Sequence, residues 1–368
     1  MMAHLMYGER LKYLREQHGM TQEELAKLMN LESRQIISHI ETGVRKMTGE
    51  DLVACTGIFK VELDYFTNPY ILAGQGSFSW RQSGVPVEEL RSFEVKAGEW
   101  IGAYRVLRGK LDQKPRTLMA EVRLTQKSSY EEAVSAGEAV AAELSLGEVP
   151  AKELIRAAEE KLDAIVLMAN PQKGISGAAC RLPEMNAIII NRQEPLSRRS
   201  YDLAHEIFHI LTWEAMPPDY IDGSNTKKAR VEQLADKFAS GLLMPSKVMQ
   251  RYLDRLDHNH PNFVQSVNEI ATELMVSSQA LLWRLVSLGR LPIHACQELT
   301  STDWFKYNGG LLMDETPPLY SRKFLELVAA ALHEGYVSER RIAGLLDLSF
   351  DQLEGLYAQH ELESPFGL

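Results

Sequence analysis

Residues 197–212 read SRRSYDLAHEIFHILT, and the spacing of their apolar side chains predicts one long helix. The segment HEIFH at 205–209 places His205 and His209 four residues apart, so both imidazoles project from one helical face about one turn from each other. Glu206 lies between them, beside the coordination position that a bound ion would keep open. Zinc is the ion that this pattern favours, and a pair of solvated surface histidines is the alternative. Because the rest of the helix is apolar, we expect the histidines to lie near a core or a cleft.

A catalytic zinc needs a third protein ligand, and the sequence offers one downstream. Residues 231–245 read VEQLADKFASGLLMP, which predicts a second helix that carries Glu232 and Asp236 on one face. Glu232 is the expected ligand, and Asp236 is placed to hold the far ring nitrogen of a ligand histidine. An ordinary acidic helix face is the alternative for this pair. Other candidate ligands stand in nearby polar segments: Asp219, Asp222, His258 and His260.

Two short apolar runs upstream predict strands of a small sheet. They are AIVLM at 164–168 and AIIIN at 187–191, each too short for a helix and rich in β-branched residues, with GISG between them. Most of the remaining chain has helical periodicity, including its C-terminal region. The sequence therefore predicts an α+β protein that is mostly helical, with an all-α N-terminal part and a small sheet beside the HEIFH helix.

These segments resemble the ImmA/IrrE family of metallopeptidases. The resemblance rests on RRSYDL before the HEIFH motif, on the AIIIN strand and on the LLMP ending of the second helix, and it spans about residues 130–250. It implies a zincin-like domain with Glu206 as the general base and three zinc ligands: His205, His209 and Glu232. Family members often carry a second acid two positions after the ligand carboxylate and an Asn in place of Asp236. Leu234 stands at the first of these positions here, which leaves Glu232 as the candidate within the motif.

The reaction implied is metal-assisted hydrolysis of a peptide bond. Zinc would polarise the scissile carbonyl and lower the pKa of its water, while Glu206 takes the proton and passes it to the leaving amine. An oxyanion-stabilising group is also required, and the sequence leaves four candidates: Tyr201, Tyr220, Tyr252 and His258. Cys180, between GISG and AIIIN, is a candidate inhibitory ligand whose thiolate could fill the open zinc position. The alternative for Cys180 is a small buried packing residue.

The first 66 residues predict a compact module of five short helices. Thr21 and Glu24 form a capping box at the start of QEELAKLMN, and Ser33 begins the helix RQIISHIE. Residues 10–47, RLKYLREQHGMTQEELAKLMNLESRQIISHIETGVRKM, resemble the Cro/C1-type (XRE) helix-turn-helix. The resemblance implies that this module binds DNA.

The third of these helices is the expected DNA reader. Three of its polar side chains share a face that can reach base edges in a major groove: Arg34, Gln35 and His39. Three further positions would meet phosphates: Gln22, Arg45 and Lys46. Yet residues 1–66 hold eight Lys or Arg against ten Asp or Glu, and phosphate neutralisation supplies much of the affinity for DNA. Binding of a protein partner by this module is therefore the alternative, and a homodimer would restore DNA affinity by doubling the contacts.

Composition and length limit the protein class. The 368 residues, 45% apolar and 24% charged, are too many for one ordinary domain. A net charge of -10 disfavours a protein that coats nucleic acid, and three scattered cysteines without CxxC spacing argue against a cysteine-built zinc site. The absence of a run of about 18 apolar residues and of a signal-peptide pattern predicts a cytoplasmic protein that does not enter a membrane.

Four regions are expected along the chain. They are the helix-turn-helix (1–66), a linker and helical connector in which Gly and Pro interrupt residues 67–95 (67–130), the peptidase (131–250), and a C-terminal helical region with a helix-turn-helix-like segment (251–368).

Two functions of different classes fit this arrangement. One is a zinc endopeptidase, coupled to a DNA-binding module, that cleaves a transcriptional repressor or regulator to switch genes of stress, mobile-element or phage-defence type, as the family resemblance implies. The other is a transcriptional regulator whose zincin-like domain is a non-catalytic sensor or partner-binding module. Glu206 favours the first, because a sensor has no need of a general base.

Overall fold

The computed structural model describes residues 3–72, 76–114, 122–217, 226–301, 308 and 315–366. The chain divides into two compact units. The first comprises Met1–Gly76 and Glu94–Lys110, and the second comprises Ser77–Phe93 and Leu111–Leu368. Each unit has its own cluster of buried apolar side chains.

The first unit is built from helices. They are α1 (Ala3–Gln17), α2 (Gln22–Leu28), α3 (Arg34–Glu41), α4 (Gly49–Phe59), α5 (Asp64–Thr67) and the C-terminal part of α6 (Val87–Lys110). The predicted capping box of Thr21 and Glu24 begins α2, and Thr48 with Asp51 forms another at the start of α4. Ser33 precedes α3 as predicted, although its side chain makes no capping hydrogen bond. The expected all-helical N-terminal region is confirmed.

A buried arginine of α1 holds α5 and the residues that follow it. Arg10 on α1 is 2% exposed. Its guanidinium donates hydrogen bonds of 2.8 Å to the carbonyl oxygens of Tyr65, Phe66 and Ile71. Because a buried guanidinium must have its donors satisfied, these three carbonyls fix α5 and the residues after it against α1.

The second unit contains a four-stranded sheet. Its strands are β1 (Ser77–Gln82), β2 (Ala164–Ala169), β3 (Ile175–Leu182) and β4 (Met185–Asn191), in the order β1-β3-β4-β2. β2 and β4 are parallel, whereas β3 runs antiparallel to both β4 and β1. Every residue of β2 and β4 is buried, so both faces of the sheet are covered there.

Two of these strands were predicted and two were not. The runs AIVLM and AIIIN form β2 and β4, as expected. β3 starts within the GISG segment between them, and β1 lies within the stretch interpreted as a linker. β1 reads SFSWRQ, with polar residues before, between and after its two aromatic residues, and is defined by its pairing with β3, about a hundred residues away. Pairing over that distance leaves no local pattern in the sequence.

Helices complete the second unit. They are α7 (Tyr130–Glu143), α8 (Pro150–Lys161), α9 (Leu196–Thr212), α10 (Thr226–Leu243), α11 (Ser246–Met249), α12 (Phe263–Glu273), α13 (Ser278–Ser287), α14 (Ile293–Thr300), α15 (Arg322–His333), α16 (Glu339–Leu346) and α17 (Phe350–Gln359), with a 3-10 turn at Leu253–Arg255. α9 lies against β3 and β4, and α10 packs along α7 and beside α9. The predicted α+β class, mostly helical, is confirmed. In the described ranges, none of the helices has both the length and the apolar character needed to span a bilayer.

Two glycines allow α7 and α10 to approach closely. A Cβ atom on Gly137 of α7 would lie 2.2 Å from the carbonyl oxygen of Phe238, and one on Gly241 of α10 would lie 2.2 Å from that of Val134. No other residue fits at such a distance, so glycine at both positions sets the depth at which α10 packs. α13 adds a further tie: the buried Arg284 donates to the carbonyl oxygen of Met244 at 2.8 Å and pairs with Glu138 of α7.

The C-terminal helices join the sheet at the β2 edge. Tyr320 and Met168 exchange two backbone hydrogen bonds, of 2.7 and 3.3 Å. Lys323 on α15 donates through Nζ to the carbonyl oxygen of Glu159 on α8 at 2.8 Å. The C-terminal region thus belongs to the same compact unit as the HEIFH helix.

Candidate metal centre

The HEIFH segment lies within α9, in its C-terminal half, so the predicted helix is present. His205, Glu206 and His209 are 1%, 0% and 4% exposed. The flanking Ala204, Ile207 and Phe208 belong to the main apolar core, which explains the burial of the polar residues between them. The alternative of a solvated surface pair does not fit this burial.

α10 brings Glu232 to the two histidines. His205 Nε2 lies 3.2 Å from His209 Nε2 and 3.1 Å from Glu232 Oε2, and His209 Nε2 lies 3.7 Å from Glu232 Oε1. The three ligand-forming atoms lie within 4.8 Å of one another. Two ligands that are each about 2.0–2.1 Å from a zinc ion in tetrahedral geometry are about 3.3–3.4 Å apart. The observed separations therefore suit one tetrahedral ion with these three ligands.

Asp236 holds the other side of the His205 ring. Its Oδ1 lies 3.0 Å from His205 Nδ1, which suits a hydrogen bond donated by Nδ1–H and leaves Nε2 as the ligand atom. Tyr201 donates its hydroxyl to the backbone carbonyl of Asp236 at 2.6 Å and so fixes the helix turn that carries this carboxylate.

Arg81 and Asp202 complete the charged cluster, and the sequence analysis missed both. Arg81 projects from β1 and contacts Asp202 of α9 (Nε to Oδ1, 2.9 Å) and Asp236 of α10 (Nη1 to Oδ1, 3.2 Å). Asp202 is fully buried and has a second cation in Arg198 at 3.3 Å. Position 202 falls one helical turn before His205, a spacing that could have indicated Asp202, whereas no local signal indicates Arg81.

The carboxylate of Glu206 is buried without a hydrogen-bond partner among the described residues. Both of its oxygens are in this state. Buried polar atoms in proteins are almost always paired, so two unpaired oxygens beside a ligand set indicate a place for water on a metal ion. A Cβ atom on Gly177 of β3 would lie 3.6 Å from Glu206 Oε1, so the strand backbone passes directly over the carboxylate. The donor set and this carboxylate fit a zinc site.

Burial and neighbouring charges shift the pKa values of the cluster. Burial raises the pKa of Glu206 to about 8. Burial lowers the pKa of His205, but the hydrogen bonds to Asp236 and Glu232 outweigh it, and the pKa rises to about 9. Burial works to raise the pKa of Glu232 and of Asp236, yet the contacts with His205 dominate and the pKa of each is lowered. The metal-free cluster thus favours two carboxylates around a protonated His205.

Other residues predicted for this site lie elsewhere. Gly177 and Ala179 of β3 face α9, so Cys180 points to the opposite face of the sheet, where the structure does not bring its thiol to the metal ligands. Tyr252 donates to Glu273 at 2.6 Å, and His258 and His260 are exposed. Asp219, Tyr220 and Asp222 lie outside the described residues.

The predicted DNA-binding residues lie on and around α3. Three of them are exposed along one side of that helix, while Ile37 and Ile40 are buried beneath it: Arg34, Gln35 and His39. Lys46 is exposed as well. Gln22 donates its side-chain amide to Glu41 at 2.8 Å, and Arg45 pairs with Asp51 at 3.3 Å, so both are held by acids of the same unit.

Comparison with known proteins agrees with both resemblances. Residues 11–66 match a family described as Helix-turn-helix, and residues 161–286 match a peptidase family described as the IrrE N-terminal-like domain. The chain therefore joins an XRE-type helix-turn-helix to a domain of the ImmA/IrrE-like peptidase family, as predicted. No curated protein is significantly similar to the chain. A solved structure, the apo form of the competence regulator ComR from Streptococcus vestibularis, aligns with 90% of this chain and 99% of its own at 11% identity and a TM-score of 0.17.

Proposed function

We propose that the chain is a zinc-dependent endopeptidase coupled to a DNA-binding module. The observation that carries the proposal is the buried, unpaired carboxylate of Glu206 next to the convergent atoms of His205, His209 and Glu232. A sensor domain would gain nothing from a buried carboxylate in that position, whose desolvation is costly. A hydrolase needs such a group as its general base.

The residues of the cluster have distinct tasks. His205, His209 and Glu232 would hold the ion, and Asp236 keeps Nε2 of His205 directed at it by accepting from Nδ1. A bound zinc ion would polarise the scissile carbonyl and supply water of lowered pKa. Glu206 takes a proton from the attacking water and gives it to the leaving nitrogen. Burial raises the pKa of Glu206, which makes its carboxylate a stronger base toward the water.

The helix-turn-helix supports a regulatory substrate. A peptidase on the same chain as a DNA-binding unit would be concentrated near other DNA-bound proteins. We infer that its substrate is a transcriptional repressor or a similar regulator, and that DNA is a second partner through Arg34, Gln35 and His39. Homodimerisation would offset the slight excess of acids in the first 66 residues.

One observation favours a second candidate function. His205 and Glu206 are 1% and 0% exposed, and the Glu232 side chain, at 32%, is the exposed part of the ligand set, so the candidate base itself is closed to a substrate carbonyl in this conformation. A transcriptional regulator whose zincin-like domain binds zinc or a partner without hydrolysis would have no need of such a path.

Replacement of the base distinguishes the two candidates. We expect Glu206→Gln to retain zinc and fold but to abolish cleavage, because the amide keeps the shape and cannot accept the proton. Cells that express wild type or the variant would be compared by mass spectrometry of newly formed protein N-termini. Glu214→Gln, the same change on an exposed residue just after α9, is the control. Equal cleavage by wild type and Glu206→Gln would place the base elsewhere, and absence of cleavage in both would favour the non-catalytic regulator.

A further inference from the structure

β1 lies beside the strand that passes over the candidate base. Arg81 of β1 is paired with Gly177 of β3, whose Cβ position would lie 3.6 Å from Glu206 Oε1. Neighbouring strands are about 4.8 Å apart, so the backbone of β1 is the next polypeptide along the sheet from that point. A substrate in extended form that paired with β3 would occupy the same place.

Arg81 also bridges the two helices that carry the ligand residues. Its guanidinium contacts Asp202 on α9 and Asp236 on α10, and its side chain is 17% exposed. Asp236 in turn lies within hydrogen-bond distance of His205 Nδ1, so Arg81 contacts a carboxylate that orients a candidate ligand. β1 is thus held over the cleft between α9 and α10 by its backbone and by one basic side chain.

Glu206 and both histidines are buried, whereas the side chains of Glu232 and Asp236 are 32% and 46% exposed, so a segment on the α9 side of the cluster must move before a peptide bond can reach Glu206. β1 is the segment best suited to do so, because it has six residues, one partner strand and exposed residues at both ends, Ser77 and Gln82. Gly76 precedes it, and Gly84 follows it with a φ of +69°, a backbone conformation that lets the chain turn away.

We propose that β1 occupies the binding position of the substrate, and that the β3 edge accepts an extended protein segment with a basic residue in the place of Arg81. This proposal rests on the proposed function. Strand addition supplies affinity through backbone hydrogen bonds, and side-chain contacts supply the specificity. Because Asp202 is fully buried and would keep only Arg198 as a cation, a substrate that displaces β1 binds more tightly when it brings an Arg or Lys in place of Arg81. Cleavage then requires that the substrate segment itself displace β1 from the β3 edge.

A peptide copy of β1 tests the site directly. The probe is the fluorescently labelled peptide GSFSWRQSG, residues 76–84, and its binding to the full chain is followed by anisotropy. Trp80→Ala should release β1, because Trp80 is 6% exposed and packs on Phe78 and Phe93. We expect this variant to bind the peptide about tenfold or more tightly than wild type, since the occupied fraction of the site falls. The same peptide with Ala in place of Arg should bind less tightly.

A second buried ring provides the control for general destabilisation. Phe263 of α12 is 5% exposed and lies in the core away from β1, so Phe263→Ala should bind the peptide as wild type does. Circular dichroism and zinc content verify the fold of each variant. Equal peptide affinity of Trp80→Ala and wild type, or equal affinity for the Arg and Ala peptides, would overturn the proposal.

An engineered disulfide between β1 and β3 gives an independent test of whether β1 must leave before the peptide binds. Phe78 is paired with Cys180 across the strands, so Phe78→Cys places a thiol opposite the natural one. Opposite Cβ atoms in antiparallel strands are about 4.5–5.5 Å apart, close to the distance that a disulfide spans. We expect the oxidised variant to bind no peptide and to regain binding on reduction, whereas Phe78→Ser should not respond to reductant. Peptide binding by the oxidised protein, with the disulfide verified by mass, contradicts the proposal. If the peptide behaves as expected but Glu206-dependent cleavage is never found, the proposed function fails and the strand site stands.

Discussion

Asp236 illustrates how one carboxylate can serve two neighbours. Its Oδ1 lies 3.0 Å from His205 Nδ1 and 3.2 Å from Arg81 Nη1, so it orients a ligand and binds the residue that covers the cleft. We expect Asp236→Asn to lower zinc affinity about 10- to 100-fold, because loss of the charge weakens the donation of His205. Titration against a chromophoric chelator measures the change. Asp351→Asn, at an exposed site on α17, is the control, and unchanged affinity in Asp236→Asn would remove this role.

The two histidines of α9 should account for the metal. We expect the double variant His205→Ala, His209→Ala to lose zinc, because Glu232 alone cannot retain the ion. Elemental analysis of protein purified without added zinc measures the occupancy. The exposed pair His258 and His260 offers a matched control, since its double alanine variant should keep the full metal content. Full occupancy after loss of both α9 histidines would exclude the assigned site.

At the scale of elements, the contact of α7 with α10 positions Glu232 and Asp236, the two residues that α10 contributes to the candidate metal centre. We expect Gly137→Ala to destabilise the second unit by about 1–3 kcal/mol, because the new methyl group meets the Phe238 carbonyl and must push α10 away. Glu232 moves with α10, so zinc affinity should fall as well. Denaturant unfolding and zinc titration report the two effects.

An open helical glycine provides the control for that substitution. Gly355 in α17 is exposed, with nothing within 4 Å of the position that a Cβ atom would take. Gly355→Ala should stabilise the protein by about 0.5–1 kcal/mol through helix propensity. A Gly137→Ala variant as stable as wild type would show that α7 and α10 can separate without cost.

α3 is the element that should read DNA. We expect Gln35→Ala, His39→Ala to abolish sequence-specific binding by the full chain and to leave zinc content unchanged, because both side chains are exposed on α3. Enrichment of sequences from a random DNA pool at low salt provides the measurement. The control is His294→Ala, Gln297→Ala on α14, which removes the same two residue types from an exposed helix of the second unit. Failure of the wild-type chain to enrich any sequence would favour a protein partner for the first unit.

Sequence patterns predicted what depends on neighbours along the chain. The four-residue spacing of His205 and His209 and the capping box at Thr21 are local, and the structure contains both elements as expected. Glu232 and Asp236 could be predicted because they repeat at helical spacing on a second helix. Arg81 could not, because its contact with Asp236 joins residues 155 apart and depends on β1 pairing with β3.

At the scale of the whole molecule, zinc should stabilise one unit and not the other. A ligand that binds the folded state alone adds about 2.7 kcal/mol when present at a hundred times its dissociation constant. Since the ligand residues all lie in the second unit, we expect a chelator to reduce amide protection in α9 and α10 and to leave α1–α5 unchanged. Hydrogen–deuterium exchange with and without chelator measures this. Equal loss of protection in both sets of helices would contradict it.

The order of the elements along the chain determines which of them the ribosome synthesises first. The first five helices are complete by Thr67, whereas α10, which carries Glu232, ends at Leu243. At about 5–20 residues per second, a ribosome needs roughly 10–35 s to add the intervening residues. All five helices of the helix-turn-helix are therefore synthesised well before Glu232, the proposed third zinc ligand. Under the proposed function, the growing chain would carry its DNA-binding helices during that interval before it could hydrolyse a peptide bond.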